Sequence, residues 1–378
     1  MARCEKLTLK NFRGISNLEY IPKKVNLIVG PNNVGKTSLI DAVYFAHTGE
    51  SPPFSNFPPS SNLRLHSDYA SIESGKHKYL YYGDPKKMSK EDYGVFQKKL
   101  NQKVTEFFNR YVELSDETES TDMPINQIER YFVDTKKVCA AKFDGHIKVG
   151  PHYGDLSNAS KEIHEIIRKV WPNIEGTGKR DRSNVLFYRA IEVFFEDFEE
   201  PLAEKDKIKY ISPPEEIYEG FRFKPRRATE LENFIKESGI LPQFERLIED
   251  NVVYSNKDII PLLAHGSGFI RLLQMLSEIR EAANGIAIVE EPENHLHPGY
   301  QHLFVEQILS MSRKHSIQIF MTSHSCDLVE ELANQAKRSS SVQISRINKN
   351  EETHEVHNYS PKEALDMMKN LTIDLRGF

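Results

Sequence analysis

The chain has 378 residues, with 50 Lys and Arg against 55 Asp and Glu, so its formal net charge is −5. This acidic balance excludes a globally basic nucleic-acid coat, and no apolar run reaches the ~18 residues that a membrane-spanning helix needs. Charges occupy the N-terminal positions where a signal peptide has its apolar segment, and the three cysteines lack metal-type spacing. We therefore expect a cytoplasmic protein without membrane contact, built as two domains or as one domain with an insertion.

Two strands are predicted near the N-terminus. Apolar residues alternate at Leu7, Leu9 and Phe12, which indicates a half-buried strand, and Arg13 follows it. Residues 25–29 then form a short apolar run that is typical of a buried strand.

A glycine-rich loop follows the second strand. Residues 30–37 read GPNNVGKT, fit the pattern GxxxxGK[ST], and lead into apolar residues at helical spacing. Glycines at 30 and 35 allow the backbone to wrap around a phosphate, and the following helix start adds its positive end. Lys36 supplies a cation for the β- and γ-phosphates, and the Thr37 hydroxyl suits Mg²⁺. The loop therefore predicts a site for ATP and Mg²⁺.

The middle of the chain has a different character. Ser89 and Asp92 stand at N-cap spacing before a long amphipathic helix, and residues 138–149 predict a hairpin that turns at Asp144 and Gly145. Residues 228–249 are also predicted to be helical. Basic side chains occur at Lys98, Lys99 and Lys103 and in the segments 176–183 and 221–228, where both plain solvent exposure and contact with a phosphate backbone stay open.

A glycine-serine turn follows the middle region. Gly266, Ser267 and Gly268 precede a helix whose apolar side includes Leu272 and Met275. Such a turn is a second candidate anion nest, because its backbone N–H groups and the helix start favour negative charge.

Two carboxylates stand at the end of a third apolar strand. Residues 286–289 are wholly apolar, as in a parallel strand covered on both faces, and Glu290 and Glu291 follow them. Ligands of open α/β sheets bind at this end of the strands. Adjacent residues point in different directions, so we assign Glu290 to Mg²⁺ and Glu291 to the attacking water. A fourth strand over residues 316–323 ends at His324, which is placed to contact the γ-phosphate.

In this order and spacing, the motifs FRG, GPNNVGKTS, HGSGF, IVEEPENHLHP and TSHS resemble the ABC-type ATPase head of the SMC, RecF and OLD group, and the OLD-like branch most. The resemblance covers about residues 1–50 and 255–345. It implies a Walker A loop, a signature turn, a Walker B strand with a catalytic glutamate, a D-loop at 296–298 and a switch histidine. It assigns Arg13 to the nucleotide phosphates. The segment that carries His295 and His297 then falls where a D-loop belongs, and the alternative of a metal-ligand pair is the minor one.

The resemblance implies the following site residues. Glu291 and His324 are catalytic, and Thr37 and Glu290 hold Mg²⁺. The nucleotide is contacted by Arg13, Gly30, Asn32, Asn33, Gly35, Lys36, Thr37, Ser38, Gly266, Ser267 and Gly268. The chain departs from the family pattern in having Glu290 where an aspartate is usual, so the split of roles with Glu291 stays open. It also has HGSGF as its signature, which leaves open which of the three turn residues contacts phosphate.

The expected fold class is α/β, an ABC-type P-loop ATPase head with a mixed sheet and flanking helices, interrupted by a mainly helical insertion. We expect residues 1–55 and 250–378 to form the head and residues 56–249 to form the insertion, which includes part of the head's second lobe and serves dimerisation and partner contacts. Heptads are not sustained, so a long coiled coil is not expected. In this family the signature turn of one subunit closes over ATP on another, which implies at least a dimer.

Two functions compete at this stage. OLD-family proteins commonly carry a fused Toprim nuclease, but no DxD sequence occurs here. The first hypothesis is therefore an ATP-hydrolysing sensor or scaffold without nuclease activity of its own, which controls a separately encoded effector, as in the ATPase subunit of PARIS-type anti-phage defence. The second is a RecF-like DNA-repair ATPase. The charge of −5 favours the first and confines any DNA contact to local basic patches.

Overall fold

In a computed structural model of the chain, the described residues are 3–50, 52, 63–64, 67–115, 125–134, 138–151, 165, 207–211, 225–248, 251–294, 296–350 and 353–370. Their strands are β1 Leu7–Phe12, β2 Ile15–Tyr20, β3 Val25–Val29, β4 Tyr69–Ser74, β5 His77–Tyr82, β6 Val138–Phe143, β7 His146–Pro151, β8 Ile208–Ile211, β9 Phe244–Ile248, β10 Asn251–Tyr254, β11 Ile259–Pro261, β12 Ile286–Glu290, β13 Gln318–Thr322, β14 Val342–Asn350 and β15 Thr353–Tyr359. Their helices are α1 Lys36–Thr48, α2 Lys90–Ser115, α3 Ile125–Asp134, α4 Pro225–Ser238, α5 Ser267–Glu281, α6 Pro298–Lys314, α7 Cys326–Gln335 and α8 Pro361–Asn370.

The chain divides into two compact units. The first comprises Met1–Lys6, Tyr20–Tyr44 and Lys205–Phe378, and the second comprises Leu7–Glu19 and Phe45–Glu204. The boundaries of the head at residues 55 and 250 stay a prediction. No helix within the described ranges is long and apolar enough to cross a membrane.

The first unit is built on a mixed six-stranded sheet. Its strand order is β15-β14-β3-β13-β12-β8, in which the neighbours from β14 to β8 are parallel and β15 runs antiparallel at one edge. The residues of β3 and β13 are buried throughout, because apolar central strands of a parallel sheet are covered on both faces. Helices α5, α6 and α7 contribute to the same core. The predicted α/β class is therefore confirmed.

Strand register brings the predicted motifs to one edge of this sheet. Glu290 at the end of β12 pairs with Thr322 of β13, and Thr322 pairs with Ile28 of β3. The glycine-rich loop, the two carboxylates and the segment of His324 therefore all follow the carboxyl ends of neighbouring parallel strands, which is where open α/β sheets bind ligands.

The second unit has a six-stranded sheet of its own, in the order β2-β1-β4-β5-β6-β7. The predicted hairpin is confirmed: Phe143 pairs with His146, and Asp144 and Gly145 have the positive φ values, 45° and 87°, that a tight two-residue turn requires. Helix α2 also follows its prediction, because the Ser89 hydroxyl accepts a hydrogen bond from the Asp92 N–H at 3.1 Å. Strands β4 and β5 were not predicted.

The helix predicted over residues 228–249 is only partly right. Helix α4 ends at Ser238, and the residues after it form β9, which pairs antiparallel with β10 in a three-stranded sheet with β11. Gly239 has a φ of 64°, and Pro242 follows it, so the chain leaves the helix through a left-handed residue and cannot resume it. Of the two basic segments, residues 176–183 lie outside the described residues, and residues 225–228 begin α4.

Candidate nucleotide site

The loop between β3 and α1 has the backbone of an anion-binding turn. Gly30, Asn33 and Gly35 have φ values of 146°, 62° and 98°. A Cβ on Gly30 would lie 2.6 Å from the Ile347 carbonyl oxygen, so a larger residue does not fit there. The side chains of Asn32 and Asn33 are exposed. The predicted sequence of strand, loop and helix is confirmed, and the loop is shaped to present N–H groups to a phosphate.

Lys36 is held at the centre of this loop. Its Nζ donates to the carbonyl oxygens of Gly30 at 2.8 Å and of Pro31 at 2.7 Å. Burial lowers the pKa of Lys36, and the negative charges of Glu291 and Glu293 act in the opposite direction. An ammonium group has three N–H donors, so one is left for a phosphate oxygen after the two loop contacts.

Thr37 and Glu290 meet beside the loop. The Thr37 hydroxyl donates to Oε1 of Glu290 at 2.9 Å. Burial raises the pKa of the Glu290 carboxyl, and the charges of Asp41 and Glu291 raise it further against the effect of the Thr37 hydrogen bond. Mg²⁺ in nucleotide sites is usually bound by one or two such protein oxygens together with phosphate oxygens. This hydroxyl and carboxylate therefore fit a Mg²⁺ site.

Two residues that sequence reasoning missed stand next to this pair. Asp41 is buried on α1, one turn after Thr37, and its Oδ1 accepts a hydrogen bond from the Tyr210 hydroxyl at 2.7 Å. The spacing of four residues from Thr37 is a signal that could have identified Asp41, because residues i and i+4 share a helix face. Tyr210 lies on β8, for which the sequence carried no clear strand signal.

Glu291 is held in a left-handed backbone conformation, with a φ of 45°. Its N–H donates to the Thr322 hydroxyl at 3.3 Å, and its Oε1 lies 3.3 Å from Nε2 of His324. Its Oε2 accepts a hydrogen bond from the Asn294 amide at 2.8 Å. The structure thus brings the two predicted catalytic residues together and adds Asn294, which was not predicted.

The turn predicted as the signature is held by local hydrogen bonds. Gly266 has a φ of 85° and precedes α5, and its carbonyl accepts from the Ile270 N–H at 3.2 Å. His265 is fixed at both ring nitrogens: Nδ1 donates to the Pro261 carbonyl at 3.1 Å, and Nε2 accepts from the Tyr254 hydroxyl at 2.6 Å. Among the described residues, no hydrogen bond or ion pair joins residues 266–268 to the loop of Lys36.

Two further predictions concern residues outside this group. Arg13 belongs to the second unit, where its guanidinium lies 5.3 Å from the ring centre of Phe12 and 5.8 Å from that of Phe45. Its contact with nucleotide phosphates stays a prediction. His297 caps α6, because its Nδ1 accepts from the Gly299 N–H at 3.2 Å, and His295 lies outside the described residues.

A phosphate-binding loop on a parallel sheet, with a hydroxyl and two carboxylates at the same edge, defines a P-loop nucleotide-binding protein. Residues 25–330 match the family described as "AAA domain, putative AbiEii toxin, Type IV TA system". Because the match covers more than half of the chain, the chain belongs to this family. It is an ATPase of the AAA class.

Individual relatives are more distant. The DNA replication and repair protein RecF from Desulforamulus reducens is 44% identical over 48 residues, which are 12% of this chain and 13% of RecF. The SMC head domain from Thermotoga maritima matches with a TM-score of 0.45 and 14% identity, over 95% of this chain and 99% of that chain. An Smc head domain bound to the C-terminal domain of ScpA, derived from Pyrococcus furiosus, matches with a TM-score of 0.42 and 14% identity, over 99% and 100% of the two chains.

Proposed function

We propose that this chain is a cytoplasmic ATP-hydrolysing sensor or scaffold subunit that controls a separately encoded effector in anti-phage defence. The observation that carries the ATPase part is the meeting of Lys36, Thr37 and Glu290 with the pair of Glu291 and His324 in one unit. A cation, a metal-binding pair and a carboxylate beside a histidine are the groups that phosphoryl transfer to water requires.

The position of each residue indicates its role in this proposal. The loop N–H groups and Lys36 bind the triphosphate, and Thr37 with Glu290 holds Mg²⁺, which neutralises charge on the phosphates when bound. Glu291 accepts a proton from the attacking water, while His324 contacts the γ-phosphate. The two neighbouring glutamates can take different roles because Glu290 faces Thr37 and Glu291 faces His324.

The complete site needs a second copy of the chain in this proposal. The turn at residues 266–268 begins α5 with backbone N–H groups that suit phosphate, and it makes no hydrogen bond to the loop of Lys36 within the described residues. Closure of this turn over ATP bound to a partner subunit would complete two equivalent sites in a dimer.

Control of a separate effector rests on the family and on the sequence. The family description names a type IV toxin–antitoxin system, an arrangement with two components, and this agrees with a chain that acts together with a second, separately encoded component. The resemblance to the OLD-like branch favours a Toprim-type nuclease as that partner. RecF-like DNA repair is not favoured, because the RecF match covers 12% of the chain.

Purification with the product of the adjacent gene tests this proposal. We expect a stable complex, release of phosphate from ATP in the presence of Mg²⁺, and loss of that release in Lys36→Ala. A DNA titration at several salt concentrations addresses the alternative, since phosphate contacts make affinity fall steeply with salt. Tight, salt-sensitive DNA binding by the isolated chain, with no co-purifying partner, would contradict effector control and support the RecF-like function.

A further inference from the structure

Glu293 lies two residues after Glu291 and was not predicted as a site residue. Its Oε1 accepts three hydrogen bonds from three consecutive residues: the Ser323 hydroxyl at 2.8 Å, the His324 N–H at 2.6 Å and the Ser325 N–H at 3.1 Å. These residues form the connection between β13 and α7. The connection that carries His324 therefore wraps around a single carboxylate oxygen.

The chemistry of these contacts suits a charged acceptor. Two backbone N–H groups and a hydroxyl converge next to the first turn of α7, where the helix favours negative charge. An ionised carboxylate accepts hydrogen bonds only, and bonds to it are roughly twice as strong as neutral ones. Ser325 in turn caps α7 by accepting from the Leu328 N–H at 3.2 Å. Glu293 thus bonds all three residues of the turn, in which the Ser325 N–H also donates to the Ser323 hydroxyl at 2.9 Å.

We infer that Glu293 is a positioning residue that fixes the backbone of His324 against Glu291. This inference rests on the proposed ATPase function. Residues 291–294 carry Glu291 itself, the oxygen that holds His324, and the amide of Asn294 that orients Glu291. Both partners of the 3.3 Å contact between Glu291 and His324 are therefore fixed from one four-residue segment.

A second effect of Glu293 has to be separated from this one. Its negative charge also acts on Lys36, whose pKa it raises against the effect of burial. Glu293→Gln removes the charge but keeps an oxygen that can accept the three hydrogen bonds, whereas Glu293→Ala removes both. Comparing the two variants therefore distinguishes positioning from electrostatics.

The kinetic test uses the full chain with Glu293→Ala, Glu293→Gln, His324→Ala and the double variant Glu293→Ala/His324→Ala. We expect Glu293→Ala to lower kcat by about tenfold to hundredfold, with KM changed less than about twofold, because misplacement of a reacting group by about 1 Å has effects of this size. Glu293→Gln should stay within about threefold of wild type. The double variant should be no slower than His324→Ala, since residues that act as a unit are not additive.

A second readout does not depend on turnover. Cys326 follows this turn directly, and of the three cysteines it alone is not buried. We expect its labelling by a thiol reagent to be several-fold faster in Glu293→Ala than in wild type or Glu293→Gln. Glu330→Ala is the matched control, because it removes a surface contact of α7 with Lys369 and leaves the turn intact.

The possible outcomes distinguish a failure of the proposed ATPase function from a failure of the role inferred for Glu293. A wild-type chain that releases no phosphate from ATP would contradict the proposed function, and the labelling rates would still decide the role of Glu293. Unchanged labelling in Glu293→Ala overturns the inference. Three kinetic results would also overturn the inference. They are a wild-type kcat in Glu293→Ala, a Glu293→Gln variant as slow as Glu293→Ala, and a double variant in which the two losses of kcat multiply.

Discussion

The nucleotide site and the signature turn are built in opposite ways. At the site, Glu290 lies within the influence of two other carboxylates, burial lowers the pKa of Lys36, and Glu291 has a left-handed backbone. At the signature turn, both ring nitrogens of His265 are hydrogen-bonded, and the ring stacks on Tyr254 with centroids 6.0 Å apart.

This difference shows that the unfavourable interactions lie at the nucleotide site. Like charges brought together and a non-glycine residue at positive φ each lower local stability, and such features concentrate where chemistry takes place. The signature turn has none of these costs among its described contacts. It therefore holds the N-terminus of α5 in place without a local loss of stability. Substitutions at the site should therefore change function more than stability.

Lys36→Ala acts at the first step, the binding of ATP, on which every later step depends. We expect ATP affinity to fall by about one to two orders of magnitude, because a charge-assisted contact to the phosphates contributes about 1.5–3 kcal/mol and the loop loses the group that its carbonyls hold. The thermal midpoint without nucleotide should change little. Calorimetric titration with ATP measures the affinity, and thermal unfolding measures the midpoint. Lys23→Ala, at an exposed lysine before β3, is the control. Retained affinity would show that the loop does not bind ATP.

Glu291→Gln should lower kcat by about 10²–10⁴-fold while ATP affinity stays within about twofold. The amide keeps the shape and the contact with Asn294 but cannot accept the proton of water. Rapid measurement of phosphate release together with nucleotide binding tests this. Glu290→Gln is the matched comparison, and we expect it to weaken the binding of Mg²⁺ instead, so that hydrolysis needs a higher Mg²⁺ concentration. If Glu291→Gln hydrolyses ATP at the wild-type rate and Glu290→Gln does not, the two roles are reversed.

Ser267→Arg tests whether the signature turn contributes to the nucleotide site of a partner subunit. We expect hydrolysis to fall at least about tenfold, with no change in ATP binding to the same chain, because the large cation blocks the start of α5 for a partner subunit. Ser340→Arg, at an exposed serine before β14, is the control.

Mixing variants sharpens the test. A mixture of Ser267→Arg with Lys36→Ala should recover about a quarter of the wild-type rate, because half of the dimers then pair one intact loop with one intact turn. No recovery on mixing, or full turnover by Ser267→Arg alone, would contradict a composite site.

Much of the site could be predicted because its signals are local. The loop has fixed spacing between Gly30 and Thr37, and the apolar runs of β3, β12 and β13 end at the residues that carry the chemistry. Parallel pairing then places those ends at one edge without further information.

The parts that could not be predicted depend on contacts between distant residues. Strand β8 has four residues, and it becomes part of the sheet only through its pairing with β12, far along the chain. Tyr210 reaches Asp41 for that reason alone. The role of Glu293 likewise depends on the register of β12 against β13, which sets the segment of His324 beside it. No periodicity within either segment encodes these contacts.

The smallest expected effect is a gain in stability from Glu290→Gln. Burial raises the pKa of Glu290 in the folded chain above its value in the unfolded chain, so the folded chain holds this proton to higher pH. The free energy of unfolding therefore falls as pH rises from the ordinary carboxyl pKa through the raised one. Glutamine cannot ionise and still accepts the Thr37 hydrogen bond, so the variant escapes this loss.

We expect the free energy of unfolding of Glu290→Gln to exceed that of wild type by about 1 kcal/mol at about pH 8, a shift of roughly 1–2 °C in thermal midpoint, and to match it near pH 4. Thermal unfolding at a series of pH values, without nucleotide or Mg²⁺, measures the difference. Glu245→Gln, at an exposed glutamate on β9, should show no such dependence. A Glu290→Gln variant that is less stable than wild type at pH 8 would show that Glu290 supports the fold, and the contrast between a strained site and a satisfied signature turn would then be wrong at its central residue.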